Sequence, residues 1–396
     1  MRKIFLLLMV SFSLFTFGQV KSVYEPIDKQ VSKIPSNSCN STEAIASYIG
    51  SHFKTEREKI RAVFYWTASN ISYDIKNIAT IDYSKSSLEK IQSTLETRKG
   101  VCIHYAEVFN DITNKLGMKS YIIDGYTKQN GKISPISHAW CAAEIDKKWY
   151  VFDPTWGSGY VSNGKFVKKI NDYYFKTEPS KIISSHMPFD YLWQFLNYPI
   201  TNQEFFDGKT QENRSKIYFD YIAEIEKESK FSEEEKIDAE IVRITKNGIK
   251  SNLILECLTA KKKESAVYNQ NANIGKMNTI VADYNQAVSL FNDFIYYRNK
   301  RFKPTLSDDE INNMIQLPKE KLLNCQKLID TVGSVGGQNL AVLASLRKNI
   351  YDVLKQVSEH ESFVKEYLSK GKGARKGMFS KVNWFGVPLN NQDDFL

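Results

Sequence analysis

Three short segments carry side chains able to do covalent chemistry: KGVCIHYAEVF at 99–109, SHAW at 137–140 and WYVFDPTWGSG at 149–159. Together they supply a thiol, an imidazole and a carboxylate, at Cys102, His138 and Asp153. A protonated thiol is a poor nucleophile, so a working cysteine needs a base beside it and surroundings that favour thiolate. Cys102 stands just after Gly100 at the predicted start of a helix, where amides lacking intrahelical acceptors and the helix macrodipole stabilise negative charge. A helix N-terminus and a paired histidine bring a cysteine pKa from ~8.5 into a range of about 3.5 to 7.5. In that arrangement Cys102 attacks an acyl carbon, His138 moves the proton, and Asp153 holds the imidazole tautomer and stabilises the imidazolium. The Cys102 amide supplies one oxyanion donor. Trp66 and Trp140, whose indole N–H groups only donate, are candidates for the second, each weighed against being an ordinary core aromatic.

The elements that must position these groups are legible as changes of period. Residues 42–49 and 55–69 show helical spacing, the second opening with a capping box of Thr55 and Glu58. Residues 101–116 read as a further helix, with Ala106, Phe109, Ile112 and Leu116 on one face and Gly117 at its stop. From Lys119 to Asp153 the pattern alternates as strands do, with Asn130-Gly131 marking one hairpin and Asp146-Lys147 a second turn. A two-residue turn at 146–147 pairs Ile145 with Lys148 and sets His138 opposite Thr155. Asp153 is then the diagonal neighbour on the same face, at ~7–8 Å between backbones; a one-residue bulge would put the two on opposite faces. Beyond residue 210 the chain turns to long polar helices, with capping signatures at Ser232–Glu235 and Ser307–Glu310. Pro304, Pro318 and VGSVGGQ at 332–338 are expected to break them. The basic, glycine-rich stretch from Lys370 to Lys381 reads as a solvated turn and not as a lipid or nucleic-acid site.

At ~150 residues per domain, 396 residues imply two or three domains. A hydrophobic share of 42% and a charged share of 25% exclude disordered, collagenous and membrane-embedded classes. The net charge of +9 is spread thinly, so nucleic-acid binding is not expected. Arg2 and Lys3 precede an apolar run from Ile4 to Phe17, shorter than the ~20 residues of a membrane span, and Gly18 offers a cleavage point. Residues 1–18 are therefore read as a signal peptide, with no stable membrane insertion after cleavage and a secreted or periplasmic product. The five cysteines, Cys39, Cys102, Cys141, Cys257 and Cys325, form no C-x-x-C pair, which excludes a disulfide scaffold and leaves at least one thiol unpaired. The histidines and carboxylates form no linear metal motif, so neither metal nor cofactor is expected; His186 reads as structural, His52 and His360 as surface residues.

The order GVC-x-x-YA opening a helix, then HAW, then WY-x-x-DPTW, resembles the transglutaminase-like superfamily of papain-type folds. VFYWTASNISYD at 63–74 and the segment at 173–201 are similar to the flanks of its kyphoscoliosis-peptidase and cytokinesis-protein branch. The resemblance covers roughly residues 40–206 and implies an α+β fold, a nucleophile helix packed on an antiparallel sheet that carries the base and the acid. Members include cross-linkers, cysteine proteases, deglycosylating amidases and silent scaffolds. Two positions depart from the pattern. His104 stands where glycine is common and could crowd or tune Cys102, and Cys141 stands where asparagine is common, as a second thiol near the base. The expected organisation is a signal at 1–18, a polar lead-in at 19–40, a transglutaminase-like domain at 41–206 and an all-helical region at 210–396. The expected function is that of an exported cysteine-dependent protease or amidase acting on protein or peptide substrates through a thioester. The alternatives are transglutaminase-type cross-linking, or a silent scaffold binding a protein partner. The helical region is a candidate surface for such a partner.

Overall fold

The computed structural model describes residues 22–77 and 85–379. The signal assigned to residues 1–18 and the end of the basic stretch lie outside these. In chain order the elements are α1 (Glu25–Val31), α2 (Thr42–His52), α3 (Glu56–Asn70), β1 (Ser72–Tyr73), α4 (Ser87–Thr97), β2 (Lys99–Gly100), α5 (Cys102–Lys115), β3 (Ser120–Gln129), β4 (Lys132–Ile145) and β5 (Lys148–Phe152). The hairpin β6 (Gly159–Ser162) and β7 (Lys165–Lys168) follows, then α6 (Pro179–Ile182), β8 (His186–Pro188), α7 (Asn202–Asp207) and α8 (Tyr221–Glu228). The remainder is helical: α9 (Glu233–Asn247), α10 (Asn252–Asn299), α11 (Asp308–Ile329), α12 (Gly337–Ser369) and α13 (Lys372–Met378). No described helix is long and apolar enough to cross a membrane.

Contacts divide the chain into two units: residues up to 232 together with 239–259, and residues 233–238 together with those from 260 onward. In the first, an antiparallel sheet of order β5-β4-β3-β8 carries α5 on one face. Ala139, Cys141, Ala143 and Phe152 from the sheet meet Ala106, Phe109 and Ile112 from α5 and Phe64 and Trp66 from α3 in one core. The other face buries Ile123, Trp140, Ala142 and Val151 with Leu192 and Phe195. Gly125 on β3 is demanded by this packing, because a Cβ there would overlap the Met187 carbonyl oxygen and the Trp140 ring. This is a mixed fold of helices and antiparallel sheet with a helical C-terminal region.

Two parts of this unit extend past the limits read from the sequence. The polar lead-in contains α1, whose Asp28 binds the buried Arg61 of α3 at 2.8 and 2.7 Å. On the C-terminal side, Arg243 of α9 makes three bonds of 2.7, 2.9 and 2.7 Å to the buried Asp190 carboxylate and another to Glu228. Arg243→Leu would leave two carboxylates buried beside an apolar side chain. The expected loss is about 3–5 kcal/mol of unfolding free energy, read as a lowered chemical-denaturation midpoint.

The described elements of the second unit are all helices. Phe291, Phe294, Val357 and Val364 form one core, and Met277, Ile280, Cys325 and Leu343 another. Pro318, expected to end a helix, lies buried inside α11, where packing outweighs the missing amide. His360, read as a surface residue, is buried, with Arg298 Nη1 3.2 Å from its Nδ1.

Candidate active site

Cys102 is the first residue of α5, preceded by the extended Val101. The approach is held by pairing of β1 with β2: Gly100 lies beside Tyr73, and the amides of Ser72 and Asp74 donate to Arg98 and Gly100 at 2.8 and 2.9 Å. The Val101 amide donates to Nδ1 of His104 at 3.2 Å, so His104 caps the helix start. Gly100 follows from this, since any Cβ there would collide with the His104 side chain. The departure from glycine at 104 is thus a device of the helix terminus. Burial, seconded by Lys90 and Lys85, pushes its imidazole down, which keeps Nδ1 available as an acceptor.

The turn at Asp146-Lys147 has both residues at positive φ, 51° and 62°, and pairs Ile145 with Lys148. The register runs on without a bulge to Cys141 beside Phe152. His138 Nε2 and Asp153 Oδ2 accordingly lie 2.8 Å apart, both side chains buried. With Nε2 engaged by the carboxylate, Nδ1 is the nitrogen left to exchange a proton with the thiol. Burial opposes charge on His138, but the Asp153 carboxylate and hydrogen bonding to Asp153 and Cys102 outweigh it and push the imidazole up. For Asp153 burial likewise favours the neutral acid, and His138 and His186 overturn that, holding the carboxyl well below the usual carboxylate range.

The Asp-Pro-Thr-Trp turn explains how this carboxylate is fixed. Oδ1 accepts the amides of Thr155 and Trp156 at 2.9 and 3.0 Å, the Asx-turn habit of aspartate, while Pro154 has no amide to compete. Oδ2 is left for imidazoles, and it receives two. His186 Nε2 lies 3.1 Å from it, and His186 Nδ1 lies 2.8 Å from the Ser185 hydroxyl. Burial first, and His138 as a like charge, push the His186 imidazole down, so it serves as a neutral donor to Asp153. His186, read from sequence as structural, is therefore a fourth member of the polar cluster, delivered by pairing of β8 with β3 at Thr127. The only linear signal was a histidine among apolar residues in SHMPF, a setting in which a buried imidazole requires a partner. His186→Phe keeps a ring in place but removes this charge-assisted bond. It is expected to lower the unfolding free energy by about 2 kcal/mol, measured by chemical denaturation.

Around the imidazoles stand aromatic rings. Trp140 stacks 6.0 Å from His138, and Trp156 lies 5.4 Å from His138 and 4.7 Å from His186. Of the two tryptophans considered as oxyanion donors, Trp140 is the one brought to the histidine. Trp66 is packed in the core with the Arg98 guanidinium 5.1 Å over its ring. Cys141 is not brought to the site. Three residues beyond His138, it faces α5, donates to the Ala106 carbonyl at 3.4 Å, and burial pushes its thiol up, which leaves it a packing residue. The donor atoms of His138, Asp153 and His186 lie within 4.8 Å of one another, a set that could also hold a divalent cation and that no linear motif announced.

A family model described as the transglutaminase-like superfamily matches residues 43–154, which take in Cys102, His138 and Asp153. Human kyphoscoliosis peptidase is 30% identical over 190 residues, 46% of this chain and 28% of that protein. The mouse kyphoscoliosis peptidase is 28% identical over 191 residues, with the same 46% and 28% covered. The chain thus matches under a third of the length of these curated relatives. A solved structure described as a TGase shares 22% identity, covering 42% of this chain and 40% of that one with a TM-score of 0.24. Residues 43–154 thus carry a transglutaminase-like domain by their match to the family model, and the kyphoscoliosis peptidases are relatives at about 30% identity.

Proposed function

We propose that the protein is a cysteine-dependent amide-bond hydrolase acting on peptides or proteins, exported by way of residues 1–18. The observation that carries this reading is His138, held by Asp153 through Nε2 and raised in basicity by Asp153 and Cys102 together. The Cys102 thiolate attacks the amide carbonyl carbon, and the oxyanion meets the amide of Cys102 at the helix start. His138 Nδ1–H gives its proton to the departing amine, leaving a thioester on Sγ. A water then gives a proton back to Nδ1 as its oxygen attacks the thioester, and the acid departs with the thiolate restored. The peptidase name of the curated relatives supports hydrolysis over cross-linking.

The test is iodoacetamide alkylation against pH, followed at Cys102 by peptide mapping because Cys257 is also partly exposed. With a thiolate–imidazolium pair, alkylation of Cys102 stays fast below pH 7, and His138→Ala loses that advantage. Alkylation that rises only towards pH ~8.5 in both proteins would end the enzyme reading and leave a scaffold.

A further inference from the structure

A cavity of about 650 Å³ opens beside the triad, and the roles given above do not use it. Its lining includes Tyr73, Thr155, Trp156, Tyr160, Phe166 and Tyr174. Two of these tie it to the chemistry. Tyr73 pairs with Gly100, two residues before Cys102, and Trp156 stands against His138 while its amide holds Asp153. The outer wall is the β6–β7 hairpin, where Tyr160 and Val161 are 54% and 48% exposed. Its position is set by Lys168, whose Nζ donates to the carbonyls of Ala68 and Ser69 at 3.1 and 2.9 Å and to that of Ile71, at the end of α3. Lys169 lines the cavity as well, and no aspartate or glutamate does among the described residues.

We propose that this cavity is a specificity subsite that takes a bulky aromatic side chain of an acidic peptide, the ring between Tyr73, Phe166 and Tyr174 and a neighbouring carboxylate at Lys169. Rings offered edges and faces from several sides favour another aromatic over an aliphatic chain. A volume in the range of ligand pockets leaves room for the backbone on either side of it. The charge is one-sided: Lys165, Lys168 and Lys169 lie in one short stretch, and their field favours a carboxylate over a lysine neighbour. Calling the cavity a substrate subsite rests on the proposed hydrolase; binding there does not.

The experiment uses the full chain carrying Cys102→Ala, so that peptide is bound and not consumed. The probes are fluorescein-labelled Gly-Glu-Phe-Glu-Gly, Gly-Glu-Ala-Glu-Gly and Gly-Lys-Phe-Lys-Gly, read by anisotropy. The acidic phenylalanine peptide is expected to bind about tenfold tighter than the alanine one and about fivefold tighter than the lysine one. In the same background, Phe166→Ala and the surface change Lys169→Glu are expected to remove the aromatic and the acidic preference respectively. In the chain that retains Cys102 the same two changes leave its alkylation profile as it was. Equal binding of the three peptides, or preferences unmoved by both variants, overturns the subsite. Alkylation of Cys102 that rises only towards pH ~8.5, with the preferences intact, overturns the hydrolase instead and makes the cavity a peptide-binding site on a scaffold.

Discussion

Cys102→Ala is expected to abolish turnover, by a factor on the order of 10⁶ for loss of the nucleophile of a triad, and to leave the fold standing. The thiol is small and nearly buried at the first position of α5, its neighbours in the core are apolar apart from His138, and that imidazole keeps the Asp153 carboxylate as partner, so alanine leaves no charge unpaired. Stability is expected to change by about 1 kcal/mol or less, seen as a nearly unmoved denaturation midpoint. The decisive readout is peptide mapping after mixing with an activated ester, since Cys257 is also partly exposed: the parent carries an acyl group at position 102 and the variant carries none there. Cys141 cannot stand in, because its sulfur faces the Ala106 carbonyl on the α5 side of the sheet. Full turnover by the variant would remove Cys102 from the chemistry.

The geometry behind that expectation was legible where local rules govern it. The Asp146-Lys147 turn determines which residue of β4 meets which of β5, and a constant register carries that from Ile145–Lys148 to Cys141–Phe152, the residue before Asp153. Likewise the spacing of Thr55 and Glu58 marks the start of α3, since a cap involves only residues three apart. His186 was another matter. It reaches Asp153 because β8 lies beside β3, a neighbour relation made by chain folding over some sixty residues that no local period encodes. Arg243 belongs to the same class: its partner Asp190 is 53 residues away, and the polar pattern of α9 reads the same whether its arginine faces water or a buried carboxylate. Asp28 and Arg61 show it again, for nothing local in the polar lead-in marks the guanidinium with which it pairs inside the fold. Cys141 is the contrary case. Strand alternation places residues 138 and 141 on opposite faces, so the thiol's remoteness from the base was within reach of the sequence, and proximity along the chain concealed it.

Asp153→Asn is expected to lower kcat by about 10⁴, and the hydrogen bonds around the carboxylate say why the protein should survive the change. Oδ1 accepts two backbone amides, so the asparagine carbonyl oxygen is held there and the amide nitrogen is forced into the place of Oδ2. That nitrogen then faces Nε2 of both His138 and His186. It has two protons and can donate one to each ring, provided each ring gives up its own Nε2 proton. His186 does so at little cost, because Nδ1–H can donate to the Ser185 hydroxyl in the reversed sense. For His138 the same reversal puts the proton on Nδ1, the nitrogen that must take the proton of the thiol. The fold keeps its bonds and the base is lost. Charge acts in the same direction, since the carboxylate is the main influence raising His138 against its burial. Without it the imidazolium is disfavoured, the thiolate it balances is disfavoured with it, and fast alkylation below pH 7 should disappear. The ¹⁵N shifts should move from imidazolium to the neutral Nδ1–H tautomer for His138, and from the Nε2–H to the Nδ1–H tautomer for His186, together with the fall in kcat. Kinetics unchanged from the parent would take Asp153 out of the mechanism, and lost kinetics with unmoved tautomers would leave the carboxylate its charge alone.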